Sequence, residues 1–286
     1  MPRTGFILIA VGLVLAALWC LFAAPEVGNP EVPDSPAAVE RGRYLVAAGG
    51  CVSCHEGTAH ADSLSGGLAL ESDFGTFYAP NITPDNETGI GGWTGADFLL
   101  ALRHGRAPDG GFYYPAFPYP AYAGMKDQDV LDIAAYLKSL PPVEFSAPAH
   151  ELPPWLFRWT IAGWNLLASL LNPEPPEEDE PLLARGAYLA RHLGHCGECH
   201  TPRNGLGIPD LRREFAGGVL PDGEVEAIDA PALADWSAQD FVLLLSLGLK
   251  PDGEFVGGKM EPVVEHNTSR LTSDDQKALA AFFIRR

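Results

Sequence analysis

The first half of this 286-residue chain is repeated, motif by motif and in the same order, in the second half. Arg41-Gly42-x-Tyr44-Leu45 returns as Arg185-Gly186-x-Tyr188-Leu189, and CVSCH (Cys51 to His55) returns as CGECH (Cys196 to His200). Downstream, Ala79-Pro80-Asn81-Ile82 is matched by Ala230-Pro231-Ala232-Leu233. Trp93-Thr94-x-x-Asp97-Phe98 is matched by Trp236-Ser237-x-x-Asp240-Phe241, and Pro108-Asp109-Gly110 by Pro251-Asp252-Gly253. Each half closes on an apolar periodic segment, Asp129 to Leu140 and Asp275 to Ile284. A fold that is closed once must therefore be closed twice, and the length leaves room for two domains of roughly 100–150 residues.

Local signals make both copies helical. Ser35 and Pro36 offer an N-cap and a first-turn proline for a helix that Gly49-Gly50 stops. Thr94 with Asp97 and Ser237 with Asp240 are cap-like pairs before apolar runs that end at Gly105 and Gly248, and Ser273 with Gln276 reads as a capping box. No alternating strand pattern of useful length occurs, so an all-α architecture is expected. The boundaries follow from composition: residues 1–36 as an N-terminal membrane anchor and spacer, 37–143 and 182–286 as the two repeated domains, and 144–181 as a Trp-rich linker. Proline and acidic residues at Asn172 to Pro181 (NPEPPEEDEP) predict a loose spacer there.

Cys-x-x-Cys-His is the attachment signature of a c-type haem: two thiols at this spacing add across the vinyl groups, and the adjacent His reaches the iron. Cys51, Cys54, Cys196 and Cys199 are then the thioether cysteines of two covalently bound haem c groups, with His55 and His200 as proximal ligands. A redox dithiol or a four-thiolate zinc site also uses Cys-x-x-Cys pairs, but neither accounts for a His directly after both. Elimination points to the opposite ligands. Of three methionines Met1 is the initiator, which leaves Met125 and Met260, 70 and 60 residues beyond the proximal His of their halves. His104 and His266 are the reserve ligands. Iron closed on both faces by His and Met passes electrons rather than binding oxygen or peroxide. The carbonyls of Pro80 and Pro231 are the expected acceptors for the proximal imidazole N–H groups. Trp93 and Trp236 are expected to border propionates or to pack in the core.

Gly5 to Ala24 is uncharged and mostly apolar, long enough as a helix to span roughly 30 Å. Arg3 precedes it, and Glu26, Glu31 and Asp34 follow. The expectation is an N-terminal transmembrane helix in a bacterial cytoplasmic membrane, with the haem domains in the periplasm. A cleaved signal peptide is the alternative; Cys20, inside this run, reads as apolar filler. Trp155 to Leu171 carries three tryptophans and Arg158, and is expected to pack across the domain boundary in preference to lying on a membrane surface. With 19 basic against 37 acidic residues and a formal charge of −18, no nucleic-acid partner is expected; the acidity suits a basic face on a redox partner.

FGTFYAPNITPDNETGIGGWTGADFLLALRHG and YYPAFPYPAYAGM in the first half, AGWNLL between, and RGAYLARHLGHCGECHTPRNGLG and MEPVVEHNTSRLTSDDQ in the second resemble the multihaem cytochrome c subunits of bacterial membrane-bound dehydrogenases, such as those for alcohol, gluconate, sorbitol and fructose. The resemblance covers most of residues 40 to 286. It implies two tandem helical cytochrome c domains, His/Met ligation at the matched positions, and electron uptake from a dehydrogenase catalytic subunit, with no catalysis by this chain alone. That family usually carries three haem motifs and this sequence shows two, so a downstream cytochrome or oxidase is expected as acceptor ahead of quinone. A dihaem subunit of a terminal oxidase is the second expectation and a dihaem peroxidase the third.

Overall fold

The computed structural model describes residues 22–61, 63–172, 175–221 and 223–285. Helix α1 (Pro36–Ala48) starts where the Ser35 side chain accepts the Ala38 N–H at 3.2 Å and Pro36 occupies the first turn. It ends at Gly49, and Gly50 in the left-handed region (φ 68°) turns the chain into the short α2 (Cys51–His55). An antiparallel hairpin, β1 (Ala69–Ser72) with β2 (Gly75–Tyr78), precedes α3 (Gly95–His104), a one-turn α4 (Tyr119–Tyr122) and α5 (Asp127–Ser139). Between the halves runs α6 (Ile161–Leu171). The second half repeats the order with α7 (Pro181–Tyr188), a π-helical turn at Leu189–Leu193, α8 (Gly197–His200), the hairpin β3 (Gly218–Leu220) and β4 (Gly223–Val225), then α9 (Ala238–Leu247), α10 (Met260–His266) and α11 (Ser273–Phe283).

Capping explains several of these limits. Thr94 with Asp97 on α3 and Ser237 with Asp240 on α9 form reciprocal capping boxes, and both helices end on a left-handed glycine, Gly105 and Gly248. The last helix is capped one residue earlier than expected: Thr272, in place of Ser273, accepts the Asp275 N–H at 3.2 Å.

The repeated Arg-Gly-x-Tyr-Leu motif is the clamp of each half. A Cβ on Gly42 would stand 1.8 Å from the Asp132 carbonyl oxygen, and one on Gly186 would stand 2.2 Å from that of Ala278. Only glycine lets α1 cross α5, and α7 cross α11, at backbone contact. The preceding arginine locks each crossing, Arg41 to Asp132 at 2.6 and 2.9 Å and Arg185 to Asp275 at 2.8 and 2.7 Å. The tyrosine of the same motif reaches across to the other half. Tyr44 donates to Asp275 and Tyr188 donates to Asp129, each at 2.5 Å.

Apolar residues of both halves form one contiguous core, from Leu45, Phe98 and Met125 through Leu189 and Leu193 to Phe215, Phe241 and Phe283. The linker is docked. Ile161 and Ala162 pack on Phe112 in a small separate cluster, Asn165 accepts the Tyr119 hydroxyl at 2.5 Å, and Trp164 donates its indole N–H to the Leu206 carbonyl at 2.8 Å. One helix thus holds onto both halves, and the residues flanking it, Trp155 and Trp159, are about 60% exposed, at 61% and 63%. The acidic segment before α7 is tied down as well: Glu178 accepts from Arg285 at 2.6 Å, and the Asn172 side chain donates to the Pro209 carbonyl at 2.7 Å.

Two expectations are corrected. The architecture is not all-α, because each half carries a two-stranded hairpin of four or three residues per strand. Strands this short offer too few residues to show alternation. Among the described residues, moreover, no helix is long and apolar enough to cross a membrane. Most of the Gly5 to Ala24 stretch lies outside the described residues. Its end is held against the first half, where the Arg106 guanidinium donates to the Phe22 and Ala23 carbonyls at 2.6 and 3.1 Å and lies 3.6 Å over the Phe112 ring. The transmembrane helix expected there, and the membrane-anchored location built on it, find no support among the described residues.

Candidate functional site

Each Cys-x-x-Cys-His segment is a short helix entered from a left-handed residue. In the first half that residue is Gly50; in the second it is His195, with φ 39°. Glycine adopts this region freely, whereas a side chain there costs about 1 kcal/mol or more.

The two proximal histidines are held alike. His55 Nδ1 lies 2.8 Å from the Pro80 carbonyl oxygen, and His200 Nδ1 lies 2.7 Å from that of Glu226. A carbonyl oxygen only accepts, so both Nδ1 atoms carry the proton and donate. The Nε2 lone pair of each ring is left for a metal. Burial pushes both imidazoles below their ordinary 6.5, partly countered by the carbonyl bond, so both are neutral at physiological pH.

The Glu226 carbonyl replaces the one expected from the repeat. Pro231 is exposed, and its carbonyl accepts from the Ala234 N–H at 3.4 Å. The second half has a longer stretch between its His and its Ala-Pro pair. What matches is the distance along the chain, 25 residues from His55 to Pro80 and 26 from His200 to Glu226. That spacing, rather than the proline, was the available signal.

Burial disfavours the thiolate at Cys51, Cys54 and Cys196. Burial pushes Cys51 and Cys196 up to about 12, and it raises Cys54 with the neighbouring Cys199 charge adding to the effect. Thiols held protonated make poor nucleophiles and poor zinc ligands. The four cysteines are not joined in disulfides, and among the described residues no three His, Cys, Asp or Glu side chains gather to hold a bare metal ion. A thiol pair beside one neutral, oriented imidazole in each half fits covalent attachment of haem.

The remaining predicted residues are placed less evenly. Met125 is 2% exposed within the core, in the turn between α4 and α5, while Met260 is half-buried as the first residue of α10. Trp93 packs edge-on against Phe98 at 5.2 Å and Trp236 against Phe241 at 6.4 Å, each beside the helix it precedes. His104 closes α3 near Ala23, Arg106 and Phe112, and His266 closes α10 with Glu265 at 3.8 Å.

Sequence reasoning passed over the seam between the two attachment segments. His195 Nε2 donates to the Gly49 carbonyl at 3.2 Å, and the same carbonyl accepts the Tyr122 hydroxyl at 3.0 Å. The Tyr122 and His195 rings meet edge to face at 5.4 Å. Ser53, inside the first motif, donates to Asn267 of the second half at 3.3 Å. No motif marks these contacts.

A model of the cytochrome c family matches residues 39–141. Over 97% of its length the chain is 43% identical to a diheme cytochrome c-type protein of Cereibacter sphaeroides, covering 96% of that protein. It is 37% identical to the gluconate 2-dehydrogenase cytochrome c subunit of Pantoea cypripedii, spanning 63% of it. It is 34% identical to the fructose dehydrogenase cytochrome subunit of Gluconobacter japonicus, spanning 54% of it. The doubled attachment geometry and this near end-to-end likeness agree: the chain belongs to the c-type cytochrome family.

Proposed function

We propose that this chain carries two covalently attached haem c groups and relays electrons from a dehydrogenase catalytic subunit to a downstream respiratory acceptor. The observation that carries the reading is the twofold recurrence of one donor set. Each set has a thiol pair, a neutral histidine whose Nδ1 proton is held by a backbone carbonyl, and a methionine in a later segment of the same half. Cys51, Cys54, His55 and Met125 would hold one group, and Cys196, Cys199, His200 and Met260 the other. When bound, such a group supplies one-electron exchange at its iron. The chain's own residues do the rest. The Pro80 and Glu226 carbonyls fix ring orientation and tautomer, and the buried Met125 side chain helps exclude water from its site. Relatives named as dehydrogenase cytochrome subunits support the upstream partner. The formal charge of −18 favours a partner with a basic docking face, with a rate that falls as salt rises.

The test is direct. Mass spectrometry of the purified chain should show two thioether-linked haems, and the oxidised protein should show methionine-to-iron charge transfer in the near infrared. Met125→Ala and Met260→Ala should each remove half of that band and lower one reduction potential. A single haem, or a band untouched by either change, refutes the assignment.

A further inference from the structure

The seam between the halves is built where the cofactor attachment segments begin. Gly49, two residues before Cys51, gives its carbonyl to His195, the residue just before Cys196. A Cβ on Gly50 would stand 2.6 Å from the Asn267 side chain and 3.7 Å from His195 Nε2, so Gly50 too lies against the second half. Gly49 itself lies against Leu193, and Gly194 against Ala48. The contacts are reciprocal, as about a pseudo-twofold axis. His195 holds a left-handed backbone where the other half uses glycine, a cost that local folding does not require. Such outliers persist where the surroundings impose them, and they gather at functional positions.

We propose that His195 is a positioning residue for electron exchange between the two haem sites: its side chain bonds the second attachment segment to the first and sets their separation and orientation. The inference rests on the two-haem reading above. Ser53, between Cys51 and Cys54, donates to Asn267 at 3.3 Å, a second tie from the first attachment segment to the other half. Tyr122, on the same carbonyl and against the His195 ring, fills the seam. In the exchange a single electron passes between sites, one iron being oxidised and the other reduced by one, with no proton moved.

The experiment uses the full holoprotein, with exchange between haem resonances in half-reduced samples read by two-dimensional NMR at concentrations where intermolecular exchange is negligible. His195→Gly removes the side chain and suits the backbone, so both haems should attach with unchanged visible spectra and individual potentials while intramolecular exchange slows several-fold. His195→Gln, with an amide N–H at similar reach, should recover most of the rate. Exchange in the Gly variant equal to the parent's overturns the proposal. A Gly variant that loses a haem also overturns it, by assigning His195 to folding. A parent mass with only one thioether-linked haem removes the two-haem reading, and the positioning role with it.

Discussion

The two halves use one plan with different atoms. Each has a helix pair crossing at glycine, an arginine bonded to an aspartate on the crossing helix, a left-handed residue before the cysteine pair and a carbonyl on the proximal imidazole. Yet Arg41 takes Asp132 whereas Arg185 takes Asp275. Packing makes Asp129 the counterpart of Asp275, since Gly42 meets the Asp132 backbone where Gly186 meets that of Ala278, three residues beyond each. The first half therefore bonds its arginine one turn later on the crossing helix. This leaves Asp129 free of its own arginine's hydrogen bonds to accept Tyr188, while Asp275 serves both Arg185 and Tyr44. What the repeat preserves is the geometric requirement; which side chain meets it is negotiated locally.

The largest expected effect comes from closing the helix crossings. Gly42→Val should destabilise the protein by about 3 kcal/mol or more, because the new side chain meets a backbone carbonyl that cannot move aside. Gly186→Val should be severe but milder, since its contact is at 2.2 Å rather than 1.8 Å. Urea midpoints of the two holoproteins measure the order, and a greater loss at Gly186 would break the comparison.

A smaller split is expected at the arginines. Arg41→Ala strands the Asp132 carboxylate, whose side chain is 1% exposed and, among the described residues, keeps only Gln128 as a side-chain donor, and should lower the unfolding temperature clearly. Arg185→Ala should cost less, because Asp275 is 10% exposed and keeps the Tyr44 hydroxyl. Equal losses in thermal unfolding would show that burial at these two sites does not decide the outcome.

The smallest effect is a pH dependence. Burial raises the Asp275 carboxyl, but the bonds from Arg185 and Tyr44 outweigh it and hold the group below its ordinary 3.8. Its contribution is then complete above pH 3.8 and is lost as pH falls towards the folded-state value. The stability gap between the parent and Asp275→Asn should accordingly shrink by about 1 kcal/mol or less on acidification to this range, the scale of a partly exposed ion pair. A gap that widens there has the wrong sign for a depressed carboxyl.

Residue type and spacing alone determined the duplication, the two Cys-x-x-Cys-His segments, the capping boxes at Thr94 and Ser237, and the glycine stops, because each rests on chemistry within a few neighbouring residues. Tertiary structure alone decided that Glu226 rather than Pro231 serves His200, that Tyr44 and Tyr188 exchange partners between halves, that His195 and Gly49 join the attachment segments, and that two short hairpins interrupt the helices. The reason is physical. A backbone carbonyl is present in every residue and marks no letter of the sequence, so only the folded path shows which one stands within 3 Å of an imidazole.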